Sequence, residues 1–165
     1  MSSLTEHFQL LARYNRVAND AVLDGCAQVA PEVLSKPSTA PFWTIMGLLE
    51  HVLAADEVWL TRFQGVGAQL PPGPPPQRAL AEFRAARAAL DLKVEDFIAG
   101  LSEEDLDATF TTTNSLGEKM TAPLSRFIAH LFNHQTHHRG QVQLLLRDAS
   151  VTGLALDLHR LMARS

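Results

Sequence analysis

The length, composition and charge of the chain are those of a globular domain. Its 165 residues, 46% hydrophobic and 19% charged, suffice for one domain with its own core, and we predict a single domain over 1–165. The net charge is −4 and the chain has no lysine or arginine cluster, so we expect no binding of nucleic acid. No apolar run could span a membrane, and the lone Cys26 excludes an internal disulfide and a cysteine-rich zinc site. Since the N-terminus does not resemble a secretion signal, we expect a cytoplasmic protein.

The first half of the chain predicts two long amphipathic helices. The first runs from Ser3 to about Ala27, with apolar residues recurring at helical spacing on one face, which His7 shares. A proline-rich connection over 29–41, with one turn of helix at most, leads to the second helix, from about Thr44 to Phe63.

Two polar side chains of the second helix lie near its apolar stripe. His51 falls at the margin of the stripe, roughly 100° from its centre. Asp56 falls inside the stripe, where a carboxylate needs a partner. That partner is either the second ring nitrogen of a metal-ligating histidine or, alternatively, an arginine or a helix cap.

The middle of the chain combines a loop, a helix and a small hairpin. Glycines and prolines make 65–76 a stiff loop. A third helix from Gln77 to about Ile98 has its charges mostly outward and reads as scaffold. Ser102 and the acidic residues after it resemble a capping box, and β-branched residues around a turn signal at Thr109–Thr121 indicate a possible hairpin.

The last long helix carries most of the histidines. Thr121 is the predicted N-cap and Pro123 an early helical position, with the end near Asp148. A short helix over about 156–163, with His159, follows. Four long helices, a short C-terminal helix and a possible β-hairpin before the fourth long helix predict an all-α four-helix bundle, in which metal sites form between facing helices.

Helical phase selects one histidine pair from the run F-I-A-H-L-F-N-H-Q-T-H-H-R-G-Q. Residues four apart lie about 40° apart, one turn up, so two imidazoles at that spacing can reach one metal ion. His138 falls well inside the apolar face and His134 at its edge, whereas His130 and His137 fall further round. We therefore predict that His134 and His138 point inward.

A third ligand is needed before this pair makes a metal site. His7 and His51 both qualify by their helical positions, and periodicity does not choose between them. Without a third ligand, the inward histidines would be hydrogen-bonded core residues, because an H-x-x-x-H spacing alone is weak evidence for a metal.

Three stretches of the chain resemble the DinB family of metalloenzymes. The specific one is the string from Asn133 to Gln141, N-H-Q-T-H-H-R-G-Q. The stretch from Leu48 to Trp59 resembles the second-helix motif of the family, and Tyr14–Asn19 resembles its Y-N-x-W-A-N opening, with Val17 in place of tryptophan. The resemblance covers nearly the whole chain.

The resemblance implies a four-helix bundle with a divalent metal held by His51, His134 and His138, and thus favours His51 over His7. The metal would be zinc or nickel, with iron, cobalt or manganese as alternatives, since imidazole serves all of them. It also implies a homodimer. Relatives include thiol-dependent transferases and metal-dependent isomerases or hydrolases.

We therefore expect a metal-dependent enzyme that acts on a small molecule by transferring a low-molecular-weight thiol to an electrophile. A three-imidazole site keeps the full charge of the cation and lowers the pKa of a bound thiol or water. The alternatives are a hydrolase of a small substrate and a non-catalytic metal- or ligand-binding bundle. Candidate helpers are Asp56, to orient a ligand imidazole, Tyr14, to face the site, and His137 or His130, to relay protons.

Overall fold

Helices make up most of the structure, a computed structural model that describes residues 3–38, 44–70, 73, 78–114 and 116–159. Over these residues, no helix is long and apolar enough to cross a membrane. In chain order the elements are α1 (Leu4–Cys26), α2 (Pro31–Leu34), α3 (Ile45–Phe63), α4 (Leu80–Ala99), α5 (Glu103–Asp107), β1 (Thr109–Thr113), β2 (Lys119–Pro123) and α6 (Leu124–Asp148).

Side-chain caps fix where the helices begin. At α1, the Ser3 hydroxyl accepts a hydrogen bond from the backbone N–H of Glu6, whose carboxylate accepts one from the Ser3 N–H. The same capping box occurs at Ser102 before α5, and the Thr44 hydroxyl accepts from the Gly47 N–H at 2.8 Å before α3. Each such contact satisfies a backbone donor that the first turn leaves unpaired. The predicted starts of α1 and α3 and the predicted capping box are confirmed.

The four long helices enclose the core. Helix α1 packs against α4 and α6, and α3 packs against the same two helices. Each contributes its apolar stripe, because burying a large aliphatic or aromatic side chain stabilises the fold by about 1.5–3 kcal/mol. The largest fully buried apolar side chains are Phe83, Leu23, Leu48, Leu53, Leu106, Ile128 and Leu146.

The predicted hairpin is confirmed, but the predicted start of the histidine helix is wrong. Strands β1 and β2 pair antiparallel with Thr111 opposite Thr121, whose hydroxyl oxygens lie 3.0 Å apart. The strand pairing extends through Pro123, which is the N-cap of α6, so Thr121 does not cap this helix and Pro123 is not one of its helical residues. That helix begins at Leu124, and the Leu124 N–H donates to the carbonyl of Ala108 at 3.0 Å.

Several predicted segments reach beyond the described residues. The single turn of helix expected between the first two long helices is α2. Residues 39–43 of the same connection lie outside the described residues. The third long helix begins at Leu80, and residues 71, 72 and 74–77 are not described. Of the C-terminal helix predicted over 156–163, residues 158 and 159 are helical and 160–163 are not described. The single domain over 1–165 stays a prediction.

Candidate metal centre

Three histidines from two helices meet at one point. His51 comes from α3, and His134 and His138 come from successive turns of α6. Each offers one ring nitrogen within 4.8 Å of the other two, and among the described residues this is the group of side chains placed to hold a metal ion. Their ring centroids lie 5.3 Å (His51 to His134), 5.0 Å (His51 to His138) and 4.4 Å (His134 to His138) apart. The structure thus brings together the three residues that the family resemblance implied.

The orientation of the α6 histidines follows the helical phase of the sequence. His138 is buried and His134 half-buried, whereas His130 and His137, further round the helix, are exposed. The inward pair predicted from spacing is therefore the pair that faces α3. His7, the rival third ligand, is exposed on α1 with its ring beside Phe8, at 5.8 Å between centroids, and does not join the cluster.

Burial keeps the three imidazoles uncharged. It lowers the pKa of His134 to about 3, with a further contribution from the neighbouring imidazoles. The pKa of His51 falls to about 4 for the same reasons, and that of His138 is also lowered. At pH 7 each ring therefore has a nitrogen lone pair, as a metal ligand requires.

The distances and the donor set fit a divalent cation. The Nε2 atoms of His134 and His138 lie 3.1 Å apart. A zinc ion with metal–nitrogen bonds of about 2.0–2.1 Å in tetrahedral geometry places two ligand nitrogens about 3.3 Å apart. The Nδ1 atom of His134 is buried and has no hydrogen-bond partner among the described residues. This desolvated environment favours the uncharged ring that a metal ligand requires.

Asp56 is buried, as its position in the stripe predicted, and its partner is an arginine. Its Oδ2 accepts from Arg87 Nη1 at 2.7 Å and from the amide of Gln135. The other carboxylate oxygen, Oδ1, has no hydrogen-bond partner among the described residues. The structure therefore shows the arginine contact that was the alternative for Asp56, and the link to the histidines passes through Gln135, the residue after His134.

The Asp56–Arg87 pair belongs to a buried polar network across four helices. Arg87 Nη2 lies 2.8 Å from Asp91, and Asn19 donates to both carboxylate oxygens of Asp91 at 3.1 and 3.2 Å. Arg139, next to His138, donates to Asn15, to Asn19 and to Gln135. Two carboxylates and two guanidinium groups cancel in charge, so the network is neutral as a whole.

Arg87 and Asp91 were not predicted as buried residues, because the charges of the third helix were expected to lie mostly outward. Both are 3% exposed. A signal was present, since they follow the core residue Phe83 at steps of four, on the face that the helix buries. Burial raises the pKa of Asp56 to about 6 despite the opposing effect of Arg87, and the two carboxylates raise the pKa of Arg87 against its burial.

The remaining predicted helpers occupy other positions. The Tyr14 hydroxyl donates to the carbonyl of Leu156 at 2.6 Å, and the Arg139 guanidinium lies over the Tyr14 ring at 5.2 Å. His137 is exposed, with Nε2 3.2 Å from the amide nitrogen of Gln141. The ring of His130 packs on Trp59 at 5.2 Å between centroids. Gln141, which also contacts His138, was not singled out from the sequence.

Two bacterial proteins have sequences related to this chain. The chain is 26% identical over 158 residues to Protein DinB of Bacillus subtilis strain 168, covering 89% of this chain and 88% of that protein. It is also 26% identical over 153 residues to the uncharacterised protein YrdA of the same strain, covering 92% and 87%.

Solved structures and the family profile agree with these relatives. A DinB-like protein from Bacillus cereus ATCC 10987 superposes with a TM-score of 0.69 at 26% identity, covering 91% of this chain and 97% of that one. A DinB-like protein from Bacillus subtilis, YjoA, shares the fold at 14% identity with a TM-score of 0.61, covering 93% and 96%. The profile of the DinB family matches residues 1–164, and the chain therefore belongs to the DinB family.

Proposed function

We propose that this protein is a metal-dependent enzyme that transfers a small thiol to an electrophile. The observation that carries the proposal is the cluster of His51, His134 and His138, three uncharged imidazoles with ring nitrogens within 4.8 Å of one another. Helices α1, α3, α4 and α6 would form a four-helix bundle, the architecture in which such sites are built from side chains on facing helices.

The three imidazoles would hold a divalent cation without neutralising its charge. A cation in such a site lowers the pKa of a thiol or a water that occupies its open positions, and so supplies a nucleophile at neutral pH. The residues of this chain would bind the cation and hold the ligand side chains in place. His51 would approach from α3 and the other two ligands from α6, and the buried network behind them fixes the side chains that follow each α6 ligand.

Thiol transfer suits the surroundings of the cluster better than hydrolysis. A hydrolase gains from a general acid that protonates the leaving group. Of the candidate helpers, however, Asp56 is paired with Arg87 and the Tyr14 hydroxyl donates to a backbone carbonyl. The exposed His130 and His137 are not part of the cluster and contact Trp59 and Gln141. Attack of a thiolate needs no such acid when the leaving group departs as a stable anion, as when the new carbon–sulfur bond replaces a carbon–chlorine bond and chloride is released. We retain a metal-dependent hydrolase and a non-catalytic metal- or ligand-binding protein as the alternatives that the experiments below distinguish.

Calorimetric titration with zinc or nickel tests the metal site. The wild-type chain is expected to bind one ion, and alanine at His51, His134 or His138 to abolish stoichiometric binding while the far-UV circular dichroism stays helical. His7→Ala is the matched control, because His7 is exposed and outside the cluster. Metal lost in His7→Ala but kept in His51→Ala would show that the ligand set is wrong.

A cobalt-substituted protein tests the reaction. Addition of a small thiol such as cysteine or glutathione should produce a sulfur-to-cobalt charge-transfer band, and thiol should be consumed when an electrophile such as 1-chloro-2,4-dinitrobenzene is present. Metal-dependent hydrolysis of esters or amides, without the band for any thiol, would favour the hydrolase. Binding of metal without turnover of either kind would favour the non-catalytic protein.

The homodimer, which the family resemblance implies, and the cytoplasmic location, which the N-terminal sequence predicts, stay predictions. Light scattering coupled to size-exclusion chromatography gives the mass of the assembly, for which a dimer is twice the 18.1 kDa of the chain. Elemental analysis of protein purified without added metal separates zinc and nickel from iron, cobalt and manganese.

A further inference from the structure

A single carboxamide bridges two histidines of α6, one inside the cluster and one outside it. Gln141 lies one turn after both His137 and His138. Its Oε1 lies 2.7 Å from His138 Nδ1, and its Nε2 lies 3.2 Å from His137 Nε2. Each end of the amide therefore contacts a ring nitrogen. The nitrogen that faces the amide oxygen must donate a hydrogen bond, and the one that faces the amide NH₂ must accept it.

The bridge determines which nitrogen of His138 carries its proton. An amide oxygen only accepts hydrogen bonds, so the Nδ1 of His138 must donate and carry the hydrogen. A neutral imidazole then has its lone pair on Nε2, the atom that lies 3.1 Å from His134 Nε2 inside the cluster. The amide oxygen thus prepares His138 to offer Nε2 to a cation.

The nitrogen end of the Gln141 amide contacts His137. An amide nitrogen only donates, so the Nε2 of His137 accepts in the arrangement described. Turned over, the amide would present its NH₂ group to His138 Nδ1, would force the proton of that ring onto Nε2, and would block the lone pair that faces the cluster. The contact with the amide also makes His137 a poor proton relay to His138, since a carboxamide would carry a proton only through its imidic-acid form.

We propose that Gln141 is a positioning residue for His138, holding it as the Nδ1–H tautomer with Nε2 directed into the metal cluster. The inference rests on the proposed metal site for its consequence, but the tautomer itself is a property of the metal-free chain. Acceptors bonded to the far nitrogen of a ligand histidine fix its ring and raise its basicity, and their loss typically costs 10–100-fold in metal affinity.

The first test is the tautomer of His138 in the metal-free, full-length protein, read from long-range ¹⁵N–¹H correlation spectra near pH 7.5. We expect Nδ1–H in the wild type and in Gln141→Glu, which keeps an acceptor oxygen. In Gln141→Met, which has nearly the same shape but no such acceptor, we expect a shift toward Nε2–H. An Nε2–H tautomer in the wild type, or no change in Gln141→Met, would overturn the proposal.

The second test is zinc affinity by competition with a chromogenic chelator. Gln141→Met should bind about 10–100-fold more weakly than wild type, and Gln141→Glu should be within about threefold of it or tighter. Gln143→Met is the control on the same helix, because the Gln143 amide donates to the carbonyl of Leu154, away from the histidines. Equal affinity in Gln141→Met and Gln143→Met would contradict the proposal. If the wild type binds no zinc, the proposed function fails, and the tautomer measurement still decides the inference.

Discussion

At the scale of single residues, burial makes the histidine cluster suited to a cation and poorly suited to protons. The pKa of His134 falls from 6.5 to about 3 because its ring is desolvated and other imidazoles lie beside it. In the unfolded chain the same ring has its ordinary pKa. Between about pH 3 and 6.5 the unfolded state therefore binds more protons than the folded state, and this residue makes the metal-free fold less stable as the pH drops.

We predict that His134→Gln reduces the acid sensitivity of the metal-free protein. Between pH 7.5 and pH 5.0, the free energy of unfolding in urea should fall by about 1–2 kcal/mol more in the wild type than in the variant, since the ring is partly exposed and the full linkage effect is screened. The raised pKa values of Asp56 and Asp91 act in the opposite direction, but they are present in both proteins and cancel. An equal fall in both proteins would show that His134 is not desolvated.

At the scale of elements, the sequence predicts the features that depend only on residues close together in the chain. Capping residues and apolar spacing located α1 and α3, and the turn signal located the hairpin. Spacing within α6 also predicted which two histidines face inward. Spacing could not choose between His7 and His51. Which helix brings its histidine next to His134 and His138 depends on how the helices pack. The predicted start of α6 was wrong because β2 pairs with β1 through Pro123, and the local sequence does not show this pairing.

Two glycines test how backbone conformation controls the elements around the cluster. Gly117, in the hairpin turn, has φ of +82°, and Gly140 lies inside α6; a Cβ on either would meet nothing within 4 Å. Gly117→Ala should destabilise by about 1 kcal/mol because side chains disfavour positive φ. Gly140→Ala should stabilise by up to about 1 kcal/mol because alanine is the better helix former. Thermal unfolding of both variants checks the opposite signs, and destabilisation by Gly140→Ala would mean that the glycine is needed for another reason.

At the scale of the whole molecule, the four long helices share a buried polar network as well as an apolar core. It joins Asn15 and Asn19 of α1, Asp56 of α3, Arg87 and Asp91 of α4, and Gln135 and Arg139 of α6. Within any single helix, the sequence shows only that charged or amide residues lie near the apolar stripe. Their pairing depends on neighbours up to 124 positions away along the chain, which periodicity within one helix does not encode.

The network predicts a large stability cost for removing one of its charges. Asp56→Asn keeps the shape of the side chain but leaves the 3%-exposed Arg87 with one carboxylate fewer, in a network that then carries a net positive charge. Breaking a buried ion pair from one side typically costs about 3–5 kcal/mol, because the remaining charge is desolvated without compensation. Urea unfolding of the metal-free protein at pH 7.5 should show a loss of that size.

Asp24→Asn is the matched control for this loss. Asp24 pairs with Arg84 at 2.9 Å, but its side chain is 70% exposed, and a solvated pair contributes about 0–1 kcal/mol. If the two variants lose the same small amount of stability, the buried network does not hold the helices together. If Asp56→Asn instead keeps its stability and loses zinc affinity by about 10–100-fold, Asp56 acts toward a ligand histidine, the other role that its position in the sequence allowed. A large loss of stability with zinc affinity retained by the folded protein places Asp56 in the framework that holds α3 against α6.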